Sequence, residues 1–170
     1  MGMLKRLRGT PIVRHDDEWQ MVYSPHAPYE LLRNRFIDFA TMSRLRRFSR
    51  FWDLVANSGN FVETTPLLWG QGSPFDGFMQ FSDWLFEKEG QTHGISLIRL
   101  AQQLFSFLVE ERGLLPEAVA QSVWTDYCRH GRRDKPSFLR PFALESPSIK
   151  PRTSKQYPPR QSRHATFGPK

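Results

Sequence analysis

Cysteine occurs once in the 170 residues, at Cys128, which rules out an internal disulfide and any all-cysteine metal cluster built from this chain alone. No apolar run approaches the roughly 20 positions that a membrane-spanning helix needs. A basic start at Lys5, Arg6 and Arg8 is followed by Gly9, Thr10 and Pro11, where a signal peptide would require a long apolar stretch. These absences point to a cytoplasmic setting without a membrane partner. There is also no Gly-rich phosphate loop, no paired-cysteine zinc spacing and no metal-binding histidine pair on one helical turn, so the motif-borne nucleotide and zinc chemistries are excluded. Aromatic residues are plentiful by contrast. Fourteen phenylalanines and five tryptophans exclude a chain disordered throughout, because such chains are poor in aromatics.

Negative charge is scarce at both ends. Residues 1–14 hold four cations and no acid, residues 145–170 carry +5, and the body between them is −2 within a total of +7. A domain whose main task is to bind phosphates should carry the excess on its folded surface. Here the excess lies on the ends, so the net charge is weak support for a nucleic-acid partner. From Glu145 onward Pro147, Pro151, Pro158, Pro159 and Pro169 interrupt a segment whose large apolar residues are Ile149, Tyr157 and Phe167. That composition predicts a disordered basic tail.

Strand signals are few, while helix starts and stops recur. Thr10-Pro11 predicts a capped short helix to about Gln20. Pro25 and Pro28 enforce an extended link, and Tyr29-Glu30-Leu31-Leu32 follows as at most two helical turns. Asp38 or Thr41 caps the next helix, in which Met42, Leu45, Phe48, Trp52 and Val55 recur at three- and four-residue steps, with Gly59 as the stop. Ser73-Pro74-Phe75-Asp76 is the strongest start signal, and Gly90 stops that helix. Its aromatics cover more than one stripe, so it is expected to be central or contacted on two sides. Ser96 caps a helix closed by Gly113, and Pro116 opens another closed by Gly131. The fold class is therefore all-α, a bundle of about four to five helices from about Asp38 to Gly131, with an extended N-terminal segment.

Candidate functional residues are sparse. Arg44, Arg46, Arg47 and Arg50 crowd one helix, with Arg46 and Arg50 on one line of its surface, where they form either a solvated polar face or a phosphate or acidic-partner site. Asn57, Ser58, Gly59 and Asn60 form either a helix stop or a binding loop. Arg129, Arg132, Arg133 and Lys135 gather after the last helix, where cations complement the helix dipole or bind an anion. His93 lies in a turn. Asp126, Tyr127, Cys128 and His130 are close in sequence, but Cys128 and His130 diverge by about 200° on a helix and make no catalytic pair.

Several motifs taken in order resemble a known module. They are Pro28-Tyr29-Glu30-Leu31-Leu32, Arg44-Leu45-Arg46-Arg47-Phe48, Asn57-Ser58-Gly59-Asn60-Phe61, Ser73-Pro74-Phe75 and Phe81-Ser82-Asp83-Trp84-Leu85. Together they are similar to the C-terminal domain of unknown function of cobalamin-binding radical SAM proteins. Leu7-Arg8-Gly9-Thr10-Pro11, continued by Trp19-Gln20-Met21-Val22-Tyr23-Ser24, resembles the last strand and exit of the barrel in those proteins. The resemblance implies residues 1–25 as the end of such a barrel, 26–144 as the helical domain and 145–170 as the tail. The family uses a [4Fe-4S] cluster, S-adenosylmethionine and cobalamin, held on domains that no positions here match. This chain is accordingly expected to hold no cofactor or metal and no catalytic residue. Its expected role is that of a truncated or split accessory part, which caps a separately encoded radical SAM barrel and helps select substrate. Without the rest of a barrel, Met3–Arg8 is expected to be mobile or to pair with another copy. The alternative is a helical adaptor whose basic ends bind RNA or another polyanion.

Overall fold

A computed structural model describes residues 3–129, 131–132 and 134–145; the expected tail beyond Glu145 lies outside them. Among the described residues the fold is helical, with one small ribbon. A 3-10 turn at Pro11–His15 runs into a short helix α1 (Asp16–Trp19), which Gln20 ends in left-handed geometry at φ 50°. Thr10 does not cap this element. Its hydroxyl donates instead to the Leu7 carbonyl at 2.7 Å, closing a turn.

The segment expected to be helical at Tyr29–Leu32 is extended instead. β1 (Val22–Tyr23) pairs antiparallel with β2 (Leu31–Arg33), and the ribbon crosses from residues 1–25 into 26–144. Met3–Arg8 is not left without a sheet either. Lys5 lies opposite Glu30 in an antiparallel bridge. The Arg6 amide donates to the Tyr29 carbonyl and the Leu31 amide to the Leu4 carbonyl, each at 2.9 Å. These inter-segment bonds take the groups that a helix at 29–32 would have used internally. Tertiary pairing therefore overrides the local preference.

The bundle follows the sequence punctuation closely. α2 (Phe39–Val55) starts at Asp38, whose side chain accepts from the Thr41 amide at 2.7 Å. α3 (Pro74–Glu89) starts at Ser73 and ends at Gly90, φ 67°. α4 (Leu97–Ser106) starts at Ser96 and continues into a π-helical turn at Phe107–Glu111. There the Arg112 amide reaches the Phe107 carbonyl at 3.2 Å, one residue further than an α-helical bond. α5 (Pro116–Cys128) follows a short link and packs on α4.

α3 is central, as its all-round aromatics require. On one side Phe78 meets Phe48 and Trp52 of α2, with ring centroids 5.2 and 4.8 Å apart. On the other, Phe81 and Trp84 meet Phe107 at 5.2 and 5.4 Å. The bundle does not end near Gly131. Leu139, in a 3-10 turn at Ser137–Leu139, is fully buried, and Phe105 packs against Phe138 and Phe142. The apolar residues just past the expected end thus close the core.

The Asp38 cap makes stability depend on pH. The Thr41 amide it accepts from holds its carboxyl below the ordinary 3.8. A depressed folded-state pKa gives stability that is complete above 3.8 and lost as pH falls through the lower folded value. Asp38→Ala is therefore expected to be less stable than the parent at neutral pH, with the gap closing in acid below about pH 4. Parallel urea melts across pH check this, and a gap that persists unchanged at about pH 2 contradicts it.

Candidate functional site

The structure does not gather the residues singled out in the sequence. Asn57, Ser58, Gly59 and Asn60 are knitted into the end of their own helix. Asn57 donates to Asp53 at 2.7 Å and accepts from the Trp52 indole at 3.2 Å, and the Ser58 hydroxyl donates to the Val55 carbonyl at 2.9 Å. Gly59 takes φ 71°, which supports the helix-stop reading.

The α2 arginines are each committed within the molecule. Arg44 and Arg47 both pair with Asp83, and Arg47 lies 4.5 Å over the Phe86 ring. Arg46 pairs with Glu30 at 3.1 Å, tying α2 to the ribbon, and Arg50 donates to the Thr92 carbonyl at 3.3 Å. A polyanion arriving at α2 would have to displace these partners. Val55 lies nine residues beyond Arg46, about 13 Å along the axis, which separates Arg46 from the 57–60 loop. Arg132 sits over the Tyr127 ring at 5.5 Å. Tyr127 itself donates to Asp134, and burial followed by that bond pushes its phenol pKa up. Arg133 and His130 lie outside the described residues.

One buried polar cluster forms around Asp126, whose partners, 62 and 63 residues earlier, carry no signal in the sequence. Asp126 on α5 is fully buried. Its carboxylate accepts from the amides of Glu63 and Thr64 and from the Thr64 hydroxyl, at 2.8–3.0 Å. Arg129 bridges Glu63 at 3.0 Å and Asp126 at 3.4 Å. The carboxylate thereby latches the chain at 63–64, just before a 3-10 turn at Thr65–Leu68, onto α5. Every oxygen is used inside the fold, so this is a structural joint.

The surface with unspent chemistry lies at the N-terminal end. Arg6, Leu7, Arg8, Gly9, Val13 and Tyr29 line an open concavity of about 710 Å³. The Leu7–Thr10 turn forms one wall, and Gly9 at φ 77° permits that turn. Tyr29 forms another wall and is itself held at φ 56°, a conformation that costs a non-glycine residue about 1–3 kcal/mol and persists only where surroundings enforce it. Arg6 pairs with Asp16 at 3.0 Å and stands 5.8 Å from the Tyr23 ring. Burial, then Asp16, raise the Tyr23 phenol pKa while Arg6 opposes them. Arg8 is exposed and has no ion pair among the described residues. Of eleven exposed large apolar residues among the described ones, seven lie between Leu4 and Phe39: Leu4, Leu7, Val13, Val22, Tyr29, Phe36 and Phe39. Three of the seven, Leu7, Val13 and Tyr29, are brought together in the concavity, and such a local concentration calls for explanation where scattered exposed apolar residues do not. Chemically the concavity offers cationic and apolar contacts together.

The donor set does not suit a resident iron–sulfur cluster, which needs several thiolates. Cys128 is the one cysteine, and it is buried in α5. Among the described residues no group of three or more His, Cys, Asp or Glu is placed to hold a metal ion, and no helix is long and apolar enough to cross a membrane.

A family model described as "Protein of unknown function (DUF4080)" matches residues 17–161, most of the chain. No curated protein and no solved structure matches.

Proposed function

The chain belongs to the DUF4080 family of proteins of unknown function, and from that premise we propose that it is a non-catalytic helical accessory domain. It docks on a separate radical SAM barrel of the cobalamin-dependent kind, covers that barrel's open end and helps select substrate. The radical SAM and cobalamin part of this reading comes from the ordered motifs between Pro28 and Leu85 and from the barrel-like segment at Leu7–Ser24. The observation that carries it is the concentration of exposed apolar residues between Leu4 and Phe39. Apolar surface of this kind, gathered at Leu7, Val13 and Tyr29 in the concavity, stays in water at a cost of roughly 25 cal/mol per Å² left uncovered, which a docked partner relieves. The bundle is cored by Phe51, Phe78, Phe81 and Leu85.

In this reading the cluster, S-adenosylmethionine and cobalamin belong to the partner barrel, and this chain's residues contribute contact and shape. Anaerobic reconstitution of the purified chain with iron and sulfide tests it directly. The expected result is no absorbance of a four-iron cluster and no cleavage of added S-adenosylmethionine. A stable cluster spectrum accompanied by cleavage overturns the proposal.

A further inference from the structure

We infer that the outer edge of residues 3–5, which ends where the Leu7 carbonyl is taken by Thr10, receives an extended acidic segment of a partner protein as an added strand. This deepens the docking reading above by naming the chemistry of the contact, and it rests on that reading.

Three observations converge on this edge. The first is its hydrogen-bond register. Leu4 and Arg6 spend their inward groups on Leu31 and Tyr29, at 2.9 Å each. Lys5 and Glu30 are the residues directly opposite in the bridge. In such a pair the backbone groups of the two residues point away from each other. Glu30 uses its outward carbonyl to accept from Ser24 at 2.9 Å. The amide and carbonyl of Lys5 face the other way and are paired with no described residue. An open edge of this kind is a template for another strand.

The second observation is charge. Residues 1–14 carry four cations and no acid. Arg6 is neutralised by Asp16 and Arg14 leans on His15, but Lys5 and Arg8 have no acidic partner among the described residues. Glu30, opposite Lys5, is taken by Arg46. A second copy of the chain would bring the same cations to the same edge and be repelled. Residues 145–170 carry the same sign at +5. An acidic occupant is the complementary one, and lysine on an edge strand is itself a known guard against self-pairing.

The third is the concavity beside the edge. Leu7, Val13 and Tyr29 supply apolar walls next to Arg8. Successive side chains of an added strand alternate between faces. By that alternation Lys5 and Leu7 share one face of the edge and Arg6 lies on the other, so a segment alternating acidic and apolar residues sets its carboxylates against a cation on one face and its apolar side chains on the opposite one.

The test uses the whole chain and a short fluorescein-labelled peptide of alternating glutamate and valine, read by anisotropy. The controls are a lysine–valine peptide and two glutamate–valine peptides N-methylated on alternate amides in opposite registers. Binding of the acidic peptide that weakens with salt is expected, with no binding of the lysine peptide. Methylation in one register should weaken binding about tenfold and in the other should not, because only one register faces the edge. Lys5→Pro removes the outward donor while leaving the Leu4 and Arg6 bonds intact, and should also weaken binding about tenfold with an unchanged circular dichroism spectrum. Arg8→Gln, outside the paired stretch, should weaken it several-fold and flatten the salt dependence.

Equal sensitivity to both methylated registers, equal binding of the lysine peptide, or no binding at millimolar peptide overturns the inference. So does self-association in sedimentation that Lys5→Pro abolishes, which assigns the edge to a second copy. None of these outcomes touches the iron reconstitution result, so the two proposals fail separately.

Discussion

Asp126→Asn is expected to lower folding stability by about 3–5 kcal/mol, the range found when one member of a buried, hydrogen-bonded charge cluster is removed. The carboxylate is fully buried and acceptor-only, and three donors converge on it: the Glu63 amide, the Thr64 amide and the Thr64 hydroxyl. Asparagine replaces one oxygen by a donor. Whichever way its amide turns, an N–H group then opposes another N–H or the Arg129 guanidinium, and a buried donor is left without an acceptor. The 63–64 segment would detach from α5. Urea unfolding should show the midpoint fall with an unchanged slope. Arg129→Gln should cost far less, because that side chain is partly exposed and its bridge to Glu63 is screened. In a double-mutant cycle, Asp126→Asn and Thr64→Val should couple by more than about 0.5 kcal/mol. A loss under about 1 kcal/mol for Asp126→Asn would show that the latch is not what holds this segment.

Gly77→Ala should also destabilise, against the helix scale. Alanine is favoured over glycine inside a helix by about 1 kcal/mol, so propensity alone predicts a gain. At Gly77, however, an added Cβ would lie 2.7 Å from the Trp69 Cβ and 2.8 Å from the Leu68 carbonyl oxygen and the Trp69 Cα. Two of these three atoms are backbone, and neither can rotate away. The 65–69 turn must therefore shift off α3, disturbing Trp69 where it stacks on Trp52 at 6.3 Å. Overpacking of this kind costs about 1–3 kcal/mol and at times more, and the expected net loss is about 2 kcal/mol. For a chain this long that corresponds to a Tm lower by about 4–8 °C. Gln80→Ala, exposed on the same helix, should change stability by less than about 0.5 kcal/mol. A Gly77→Ala variant with a raised Tm would refute the close approach.

The same contrast explains how much of the molecule could be read from its residues. Ser73, Ser96 and Asp38 are legible as helix starts because each cap closes a hydrogen bond within three residues. Gly90 and Gly113 are legible as stops because their positive φ is a local requirement. The ribbon was not legible. Leu31 is extended because its amide meets Leu4, 27 residues earlier, and nothing near Tyr29 announces that partner. The Asp126 latch spans 62 residues and engages main-chain amides, which carry no side-chain signature. Arg46 and Arg50 stood out as charges, yet their partners Glu30 and Thr92 sit on distant segments. What looked like an available cationic stripe is internal cross-linking. The apolar concavity at the N-terminal end is illegible for a related reason. Its apolar residues follow no single helical or strand period, and only the folded ribbon brings Leu7, Val13 and Tyr29 to one concavity.

The wide turn at Phe107–Glu111 bears on how this chain should be compared with its relatives. A π turn accommodates one amino acid more than the α-helix it interrupts, so it is equivalent to a single-residue insertion absorbed without a loop. Here the inserted length buries both Phe107 and Leu108 and still lets Glu111 accept from the Trp84 indole at 3.0 Å. A relative one residue shorter in this helix would keep the same link to α5 by straightening the turn. Its alignment gap then belongs between positions 106 and 112, and placing it in the 113–115 connection would put the residues between the turn and that connection one position out of register.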